Sequence, residues 1–285
     1  MENQPADAVV EAAASASVPA GAGGARHAVG GSHARTRRRA RLSPLTVIGE
    51  LLLVSGLAVL GYFGWQYVNT QVVVPQQQQG LAAQQSARWA AEADPETPWN
   101  GKIPIAAAPA EGQVFGVLYI PAMGKNYAYR VAEGTDRPTV LDLSDKGIGH
   151  YDKTQMPGAT GNFAIAAHRS GPWVTPFREI MRLRVGDPIY LETEDGWYTY
   201  RFRSQEYVLP TETDVLDAFP RVSGEPGKDR ILTLTTCHPK EDGTAERAIT
   251  YAVFDDFRPR SEGAPAALAE ANSNVAGSSA KQAGA

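Results

Sequence analysis

The chain has 285 residues, of which 43% are hydrophobic and 20% charged, and its formal net charge is -4. This composition is typical of a globular protein with one or two domains. The slight acidity excludes a strongly basic nucleic-acid-binding protein, so no nucleic-acid partner is expected. The single cysteine excludes an intrachain disulfide framework and a multi-cysteine zinc or iron–sulfur site. No cofactor is predicted.

The two ends of the chain lack aromatic residues and are rich in Ala, Gly and Ser. Such segments cannot bury enough apolar surface to offset the entropy lost on ordering. We expect residues 1–43 to be a disordered, basic cytoplasmic tail and residues 261–285 to be a disordered C-terminal tail.

An apolar run from Leu45 to Val68 follows a block of arginines and contains one charged residue, Glu50. As a helix it spans about 36 Å, enough for a hydrocarbon core of about 30 Å. It is too long for a cleaved signal peptide, and the arginines and the aromatic residues at its far end argue against a buried soluble helix. We predict a transmembrane anchor over 44–68, in the lipid bilayer through residues 45–68, with a cytoplasmic N-terminus.

Residues 69–110 are rich in Gln, Ala and Pro and predict an extracytoplasmic linker, with a short helix over Leu81–Glu92. The Gln76–Gln79 tract within it is interpreted as solvated. From residue 111 to residue 260 the pattern changes to a folded domain. Its β-branched and aromatic segments predict these strands: Val114–Ile120, Tyr127–Val131, Asn162–His168, Ile189–Glu194, Trp197–Val208, Arg230–Cys237 and Ala248–Phe254.

Two short helices are predicted between these strands, Pro176–Arg184 and Asp214–Phe219. Many short strands with few helices, over about 150 residues, predict an all-β barrel or sandwich.

Cys237 ends the strand that begins at Arg230, next to a loop where an accessible reactive group can lie. Because side chains alternate along a strand, Leu232 and Leu234 share one face and Thr235 and Cys237 share the other. His238 should then point away from Cys237. A lone extracytoplasmic cysteine is either buried and inert or retained for its chemistry.

Two other residues of chemical interest stand at strand ends. His168 closes the strand that begins at Asn162, and Arg247 opens the strand after Cys237, so that a hairpin would bring Arg247 back beside Cys237. A satisfied polar histidine and a surface arginine are the alternative interpretations of these residues.

These residues lie in motifs that resemble the sortases, membrane-anchored cysteine transpeptidases of Gram-positive bacteria. The motifs are Thr-Leu-Thr-Thr-Cys-His-Pro (233–239), Gly-Asn-Phe-Ala-Ile-Ala-Ala-His-Arg (161–169), Pro-Phe-Arg-Glu-Ile-Met-Arg-Leu-Arg-Val-Gly-Asp (176–187) and the stretch Gly147–Gly158. The Thr-Leu-Thr-Thr-Cys-His-Pro form most resembles the class E sortases of actinobacteria. The likeness covers about Gly112 to Phe257.

The resemblance implies an eight-stranded β-barrel with short helices, preceded by a single N-terminal transmembrane helix. It implies Cys237 as nucleophile, His168 as general acid/base and Arg247 as the residue that positions substrate and stabilises the oxyanion. Ala167 departs from the family pattern, which has Gly before the His-Arg pair, and adds a methyl group beside His168.

The implied reaction cleaves a Leu-Ala-X-Thr-Gly or Leu-Pro-X-Thr-Gly sorting signal between Thr and Gly. Its implied partners are secreted proteins that carry the signal at the C-terminus and a peptidoglycan precursor amine as acceptor. Thr235, Thr236, Tyr151 and His150 are further candidates for the substrate groove.

Two other functions remain open from the sequence. One is a non-catalytic, membrane-tethered β-barrel domain that binds cell-wall components or partner proteins. The other is a metal site built from His150, His168, Cys237 and His238, which strand alternation disfavours because Cys237 and His238 point to opposite faces.

Overall fold

The computed structural model describes residues 43–93, 99–223, 227–241 and 245–275. The predicted cytoplasmic tail, except Ser43, lies outside the described residues, and so do residues 276–285 of the predicted C-terminal tail.

The first helix, α1, runs from Pro44 to Val68 and matches the predicted anchor. Its apolar side chains are exposed: Leu52, Leu60 and Phe63 are all more than 60% accessible. Such a surface is stable in lipid and costly in water. A π-helical turn, Asn69–Val73, joins α1 to a second helix, α2, Val74–Glu92. This continuous helix is the one candidate membrane span in the described part of the chain.

Helix α2 lies in the segment predicted as a linker, and one of its faces is buried. The helix expected over Leu81–Glu92 is present but begins earlier, at Val74. The buried positions recur every three or four residues, as they do on one face of a helix: Val74, Gln78, Ala82, Ser86 and Trp89. The segment 74–92 is therefore a packed helix, because this face covers apolar side chains of the barrel described next.

A closed barrel of eight strands, in the order β1-β2-β3-β4-β7-β8-β6-β5, forms the body of the molecule. Strand β4 pairs in parallel with β7, and β7 pairs antiparallel with β8. The strands are β1 Val114–Tyr119, β2 Tyr129–Glu133, β3 Ile148–His150, β4 Gly161–Ala167, β5 Pro188–Glu192, β6 Gly196–Val208, β7 Arg230–His238 and β8 Glu246–Pro259. This confirms the all-β, eight-stranded barrel.

The barrel encloses a hydrophobic core. It is built from the inward side chains of the strands, including Leu118, Phe163, Ile165, Leu232 and Leu234, all at most 1% exposed. These residues alternate along their strands with outward-facing ones, as the pleat requires.

The predicted strands are all present, with ends that differ by a few residues, but β3 is missing from the prediction. It has three residues, Ile148–His150, too few for alternation to be recognised. The two predicted helices contain only 3₁₀ turns, Ile180–Arg182 and Thr213–Leu216. These segments are too short for a stable α-helix, and buried Ile180 and Val215 fix them through tertiary packing.

The predicted disorder of the C-terminal tail is wrong for residues 261–275. A 3₁₀ turn, Arg260–Glu262, leads into a short helix, α3, Ala266–Ala271. Leu268 and Val275 are buried in a cluster with side chains of α2 and of the barrel. The composition of this segment is poor in apolar residues, but two well-placed ones suffice to dock it on an existing apolar surface.

A buried carboxylate ties these outer elements to the barrel. Glu192 on β5 accepts hydrogen bonds from Ser86 on α2 (2.6 Å), from Tyr119 on β1 (2.7 Å) and from Arg260 (3.0 Å). Arg260 and Glu192 are 5% and 1% exposed. Breaking such a pair is strongly destabilising because it leaves a buried charge uncompensated. Burial and the negative charge of Glu192 raise the pKa of Tyr119, so its phenol stays a hydrogen-bond donor.

The docking of the C-terminal segment predicts the effect of Leu268→Ala. Losing this fully buried side chain should cost about 2–5 kcal/mol. The melting temperature should therefore fall by at least about 4 °C. Leu209→Ala, at an exposed position, is the matched control and should change it little. Equal melting temperatures for the two variants would show that the C-terminal segment is not packed.

Candidate active site

The strand pairings set three side chains in a row across β4, β7 and β8. Cys237 on β7 is paired directly with Arg247 on β8. On the other side, Ala166 on β4 pairs with Thr235, and continuing this parallel register by two residues sets His168 beside Cys237. Directly paired residues project from the same face of a sheet, so the three side chains share one surface.

Contacts beyond the last paired residues support this register. The hydroxyl of Thr236 donates to the carbonyl oxygen of Ala167 at 2.7 Å, and Nη1 of Arg169 donates to Nδ1 of His238 at 2.9 Å. Both contacts join residues 69 positions apart. The end of β4 is therefore held to β7 up to the position of Cys237.

The row lies on the outside of the barrel. Leu232 and Leu234 belong to the core, whereas Cys237 is partly exposed, as predicted from strand alternation. The methyl group of Ala167 also belongs to the core, so it points away from the face that carries His168. Ala167 also borders the groove, so the residue that departs from the family pattern lies between the core and the groove.

A groove of about 550 Å³ runs over this row. It contains all three predicted catalytic residues, Cys237, His168 and Arg247. Other residues that line it include Arg137, Leu141, Tyr151, Ala166, Trp173, Thr235, Thr236 and Glu241. The groove is large enough for several residues of an extended peptide.

Asp142 orients His168. Nε2 of His168 lies 2.7 Å from Oδ1 of Asp142, and because a carboxylate only accepts, the imidazole donates from Nε2. The opposite ring nitrogen, Nδ1, is then the one that can exchange a proton with a substrate. A carboxylate in this position also stabilises the imidazolium form.

An aromatic stack completes the wall of the groove beside His168. The ring of Trp173 stacks on the imidazole with centroids 5.1 Å apart, and the guanidinium of Arg137 lies 4.4 Å from the Trp173 ring centroid. Arg137 also pairs with Asp142 at 3.3 Å. His168 is thus held by a hydrogen bond in its plane and a ring on its face.

Asp142 and Arg137 were not predicted from the sequence. Both missed residues lie between β2 and β3, where the sequence has no regular pattern. We find no signal in the sequence that would have identified them.

Tyr151 and Thr235 line the groove as predicted; Thr235 lies on β7 two residues before Cys237, and Tyr151 follows β3 and bonds β4 through its backbone. Their hydroxyl groups are 3.0 Å apart. Burial raises the pKa of Tyr151, although the hydrogen bond with Thr235 and the positive charge of Arg247 lower it, and a charge on Cys237 would raise it further. Tyr151 therefore stays a neutral phenol, able to donate a hydrogen bond to a ligand.

Arg247 is the second residue of β8 and lines the groove. Its Nη1 donates to the carbonyl oxygen of Glu246 at 3.0 Å. The guanidinium has five N–H donors in a planar fork, a geometry that suits an oxyanion or a peptide carbonyl.

Two of the predicted groove residues have other roles. His150 is fully buried: it shares the inward face of β3 with Ile148, and its Nδ1 bonds Glu133 at 2.8 Å inside the barrel. The structure therefore does not support substrate binding by His150, because strand alternation turns it away from the groove. Thr236 borders the groove, but its hydroxyl is engaged by Ala167.

His238 lies outside the groove, as predicted. It stacks on Tyr207, with ring centroids 4.0 Å apart, and accepts the hydrogen bond from Arg169. With His150 inside the barrel and His238 turned away, the four residues of the metal hypothesis do not converge. Among the described residues, no group of three or more His, Cys, Asp and Glu side chains is placed to hold a metal ion.

Comparisons with known proteins agree with this geometry. Residues 118–255 match the model of the Sortase domain. The chain is 32% identical to sortase SrtE2 of Streptomyces coelicolor over 74% of its own length and 82% of that protein. It is 36% identical to sortase SrtE1 of the same organism over 82% of its own length, but this match spans only 65% of SrtE1.

A solved structure is also similar. It is sortase E1 from Streptomyces coelicolor with a tripeptide in the active site, 40% identical, with a TM-score of 0.50 over 57% of this chain and 99% of that one.

The exposure of Cys237 predicts that the native protein reacts with a small thiol reagent. Iodoacetamide should add one carboxamidomethyl group per chain without denaturant, since the sulfur is partly exposed in an open groove. Intact-mass spectrometry measures the adduct, and Cys237→Ser, which leaves no thiol in the chain, is the control. An adduct that forms only in urea would show that the thiol is buried.

Proposed function

Because the chain belongs to the sortase family of cysteine transpeptidases, we propose that it cleaves a peptide bond through a thioester on Cys237 and transfers the acyl group to an amine. The observation that carries this proposal is the row of His168, Cys237 and Arg247 in one groove. These side chains supply a nucleophile, a proton carrier and an oxyanion donor.

In the first step the thiolate of Cys237 attacks the scissile carbonyl carbon, since the thiolate is the nucleophilic form of cysteine. The carbonyl oxygen becomes an oxyanion, and Arg247, paired directly with Cys237, donates hydrogen bonds to it. The carbon–nitrogen bond then breaks, and the leaving amine takes a proton from His168. A thioester remains on Cys237.

In the second step an incoming amine attacks the thioester. His168 accepts the proton of this amine, a new amide bond forms, and Cys237 leaves as the thiolate. Asp142 supports both steps, because its carboxylate stabilises the imidazolium that His168 must form and holds the ring in one orientation.

For the substrate, we propose a Leu-Ala-X-Thr-Gly sorting signal that is cleaved between Thr and Gly. The similarity to the class E relatives SrtE1 and SrtE2 supports this choice, and the open groove suits an extended peptide. Secreted proteins that carry the signal are the proposed donors, and a peptidoglycan precursor amine is the proposed acceptor.

We also propose that α1 spans the cell membrane once, with a cytoplasmic N-terminus and an extracytoplasmic catalytic barrel. The length and apolar surface of α1 support the anchor. The arginine block before Leu45 supports the orientation, since positive charges are retained in the cytoplasm.

The decisive experiment incubates the full chain, in detergent micelles, with a Leu-Ala-X-Thr-Gly peptide and an amine acceptor, and follows peptide and protein by mass spectrometry. We expect the peptide to be joined to the amine and an acyl adduct on the wild-type chain. Cys237→Ala should form neither product. A parallel Leu-Pro-X-Thr-Gly peptide tests the signal, and faster turnover of it would contradict the class E preference.

His168→Asn should abolish transfer, whereas His238→Asn is the control because His238 lies outside the groove. If the folded wild-type chain gives no product and no adduct with either peptide, the proposed function fails. A membrane-tethered binding domain would then be the better interpretation.

The hydrogen bond between Asp142 and His168 predicts the effect of Asp142→Asn. Losing a charged hydrogen-bond partner costs about 1.5–3 kcal/mol, so kcat should fall by about 10-fold to 100-fold. Asp152→Asn, at an exposed position in the same region of the chain, is the control and should keep kcat. Equal kcat values for these two variants would show that Asp142 does not contribute to catalysis.

A further inference from the structure

The segment between β2 and β3, residues 136–147, links the groove to helix α2; it is called the Asp142 segment below. It begins with a π-helical turn, Arg137–Leu141, in which the N–H of Asp142 bonds the carbonyl of Arg137 at 2.8 Å, and the N–H of Gly147 then bonds the carbonyl of Val140 at 3.1 Å. Asp142 lies on the groove side, where it holds His168. The other end of the segment is held from outside the barrel.

Gln78 on α2 holds that end. Its Nε2 donates to the carbonyl oxygens of Ser144, at 2.7 Å, and Lys146, at 3.0 Å. Its Oε1 accepts from the backbone N–H of Arg130 on β2, at 3.1 Å. The side chain is 0% exposed, so these three bonds replace all of its contacts with water. Gln78 therefore joins α2, β2 and the Asp142 segment in one buried contact.

Arg130 itself also bonds the Asp142 segment. Its Nε donates to the carbonyl oxygen of Asp145 at 2.8 Å, and its Nη2 contacts the same oxygen and the Asp145 carboxylate. The carbonyls of Ser144, Asp145 and Lys146 are thus all engaged. Because Gln78 bonds the main chain of Arg130 as well, it fixes both the loop and the strand that anchors the loop.

We propose that Gln78 is a positioning residue for the active site, and that it acts through Asp142 on His168. The proposal rests on the proposed function, in which His168 carries the proton. Ser144 is two residues from Asp142, so a shift of the bonded carbonyl is transmitted along the chain to the carboxylate. The Asp142–His168 contact of 2.7 Å is short and charge-assisted, and such contacts weaken steeply with displacement.

Docking of α2 therefore completes the catalytic groove. Without the Gln78 amide, two part-buried carbonyl groups and one N–H group lose this partner, and the Asp142 segment relaxes toward water to satisfy them. Because α2 continues from the membrane-spanning helix through Asn69–Val73, the helix that leads to the anchor is part of the catalytic unit.

The test compares Gln78→Met with Gln77→Met in the full chain. Methionine keeps the length and apolar stem of glutamine but removes its amide. Gln77 is the matched control, since it is the adjacent residue of the same type and is exposed. We expect kcat of Gln78→Met to fall by about 10-fold or more, since a misplacement of about 1 Å in a catalytic group can cost about 100-fold. KM and the activity of Gln77→Met should stay near wild type.

A double variant separates a positioning role from a merely structural one. If Gln78 acts through Asp142, Gln78→Met combined with Asp142→Asn should be no slower than Asp142→Asn alone. Losses in kcat that multiply would overturn the proposal, because Gln78 would then act independently of Asp142. A lowered melting temperature with unchanged kcat would also overturn it.

Hydrogen exchange supplies a measurement that does not need turnover. Amides of residues 137–147 should exchange faster in Gln78→Met than in Gln77→Met, while those of β7 stay protected. Unchanged exchange in the segment would overturn the proposal. If the wild-type chain transfers no peptide, the proposed function fails, and this exchange result alone decides whether Gln78 holds the segment. If Gln78→Met does not fold, Gln78→Asn, which keeps the amide but shortens its reach, takes its place in all three measurements.

Discussion

The register of β7 between its two neighbours is the constraint on which the groove depends. Cys237 faces outward beside Arg247 only because β7 and β8 pair as they do, and beside His168 only because β4 runs parallel to β7. A slip of one residue would turn Cys237 into the core and bring His238 to the surface of the groove. The inward Leu232 and Leu234 prevent this slip, since it would expose two fully buried side chains. Core packing thus fixes the chemistry on the opposite face of the same strand.

The flanks of this row differ in character. On the His168 side, Asp142, Trp173 and Arg137 hold the imidazole by charge and by stacking. Beside Thr235 on β7, Tyr151 offers a neutral hydroxyl, because burial keeps its phenol protonated. The surroundings of His168 are suited to proton transfer, and the Tyr151 hydroxyl is suited to binding a polar peptide group. The division follows from which loops reach the groove, since β4, β7 and β8 supply only the central row.

Those parts of this arrangement that depend on residues close together in the chain could be predicted from the sequence. The long apolar helix α1 could be predicted from its length and composition, and the pairing of Cys237 with Arg247 from the hairpin between them. His150 was predicted to border the groove because a strand of three residues is too short for side-chain alternation to show which face His150 occupies. Asp142 was missed because it lies 26 residues from His168, and only the folded path between β2 and β3 brings them together. Gln78 was interpreted as solvated because a glutamine tract has the same composition whether its amides bond water or main chain.

The apolar surface under α2 affects where the chain can be cut to give a well-behaved fragment of the barrel. Val117, Tyr119 and Ala128 belong to the outer cluster that Ala82 and Trp89 of α2 and Leu268 of the C-terminal segment cover. A fragment cut at Glu111, where the strand pattern of the sequence begins, would present this patch to solvent. Contiguous exposed apolar patches promote self-association. Fragments that keep residues from Val74 onward retain the part of this cover that α2 supplies.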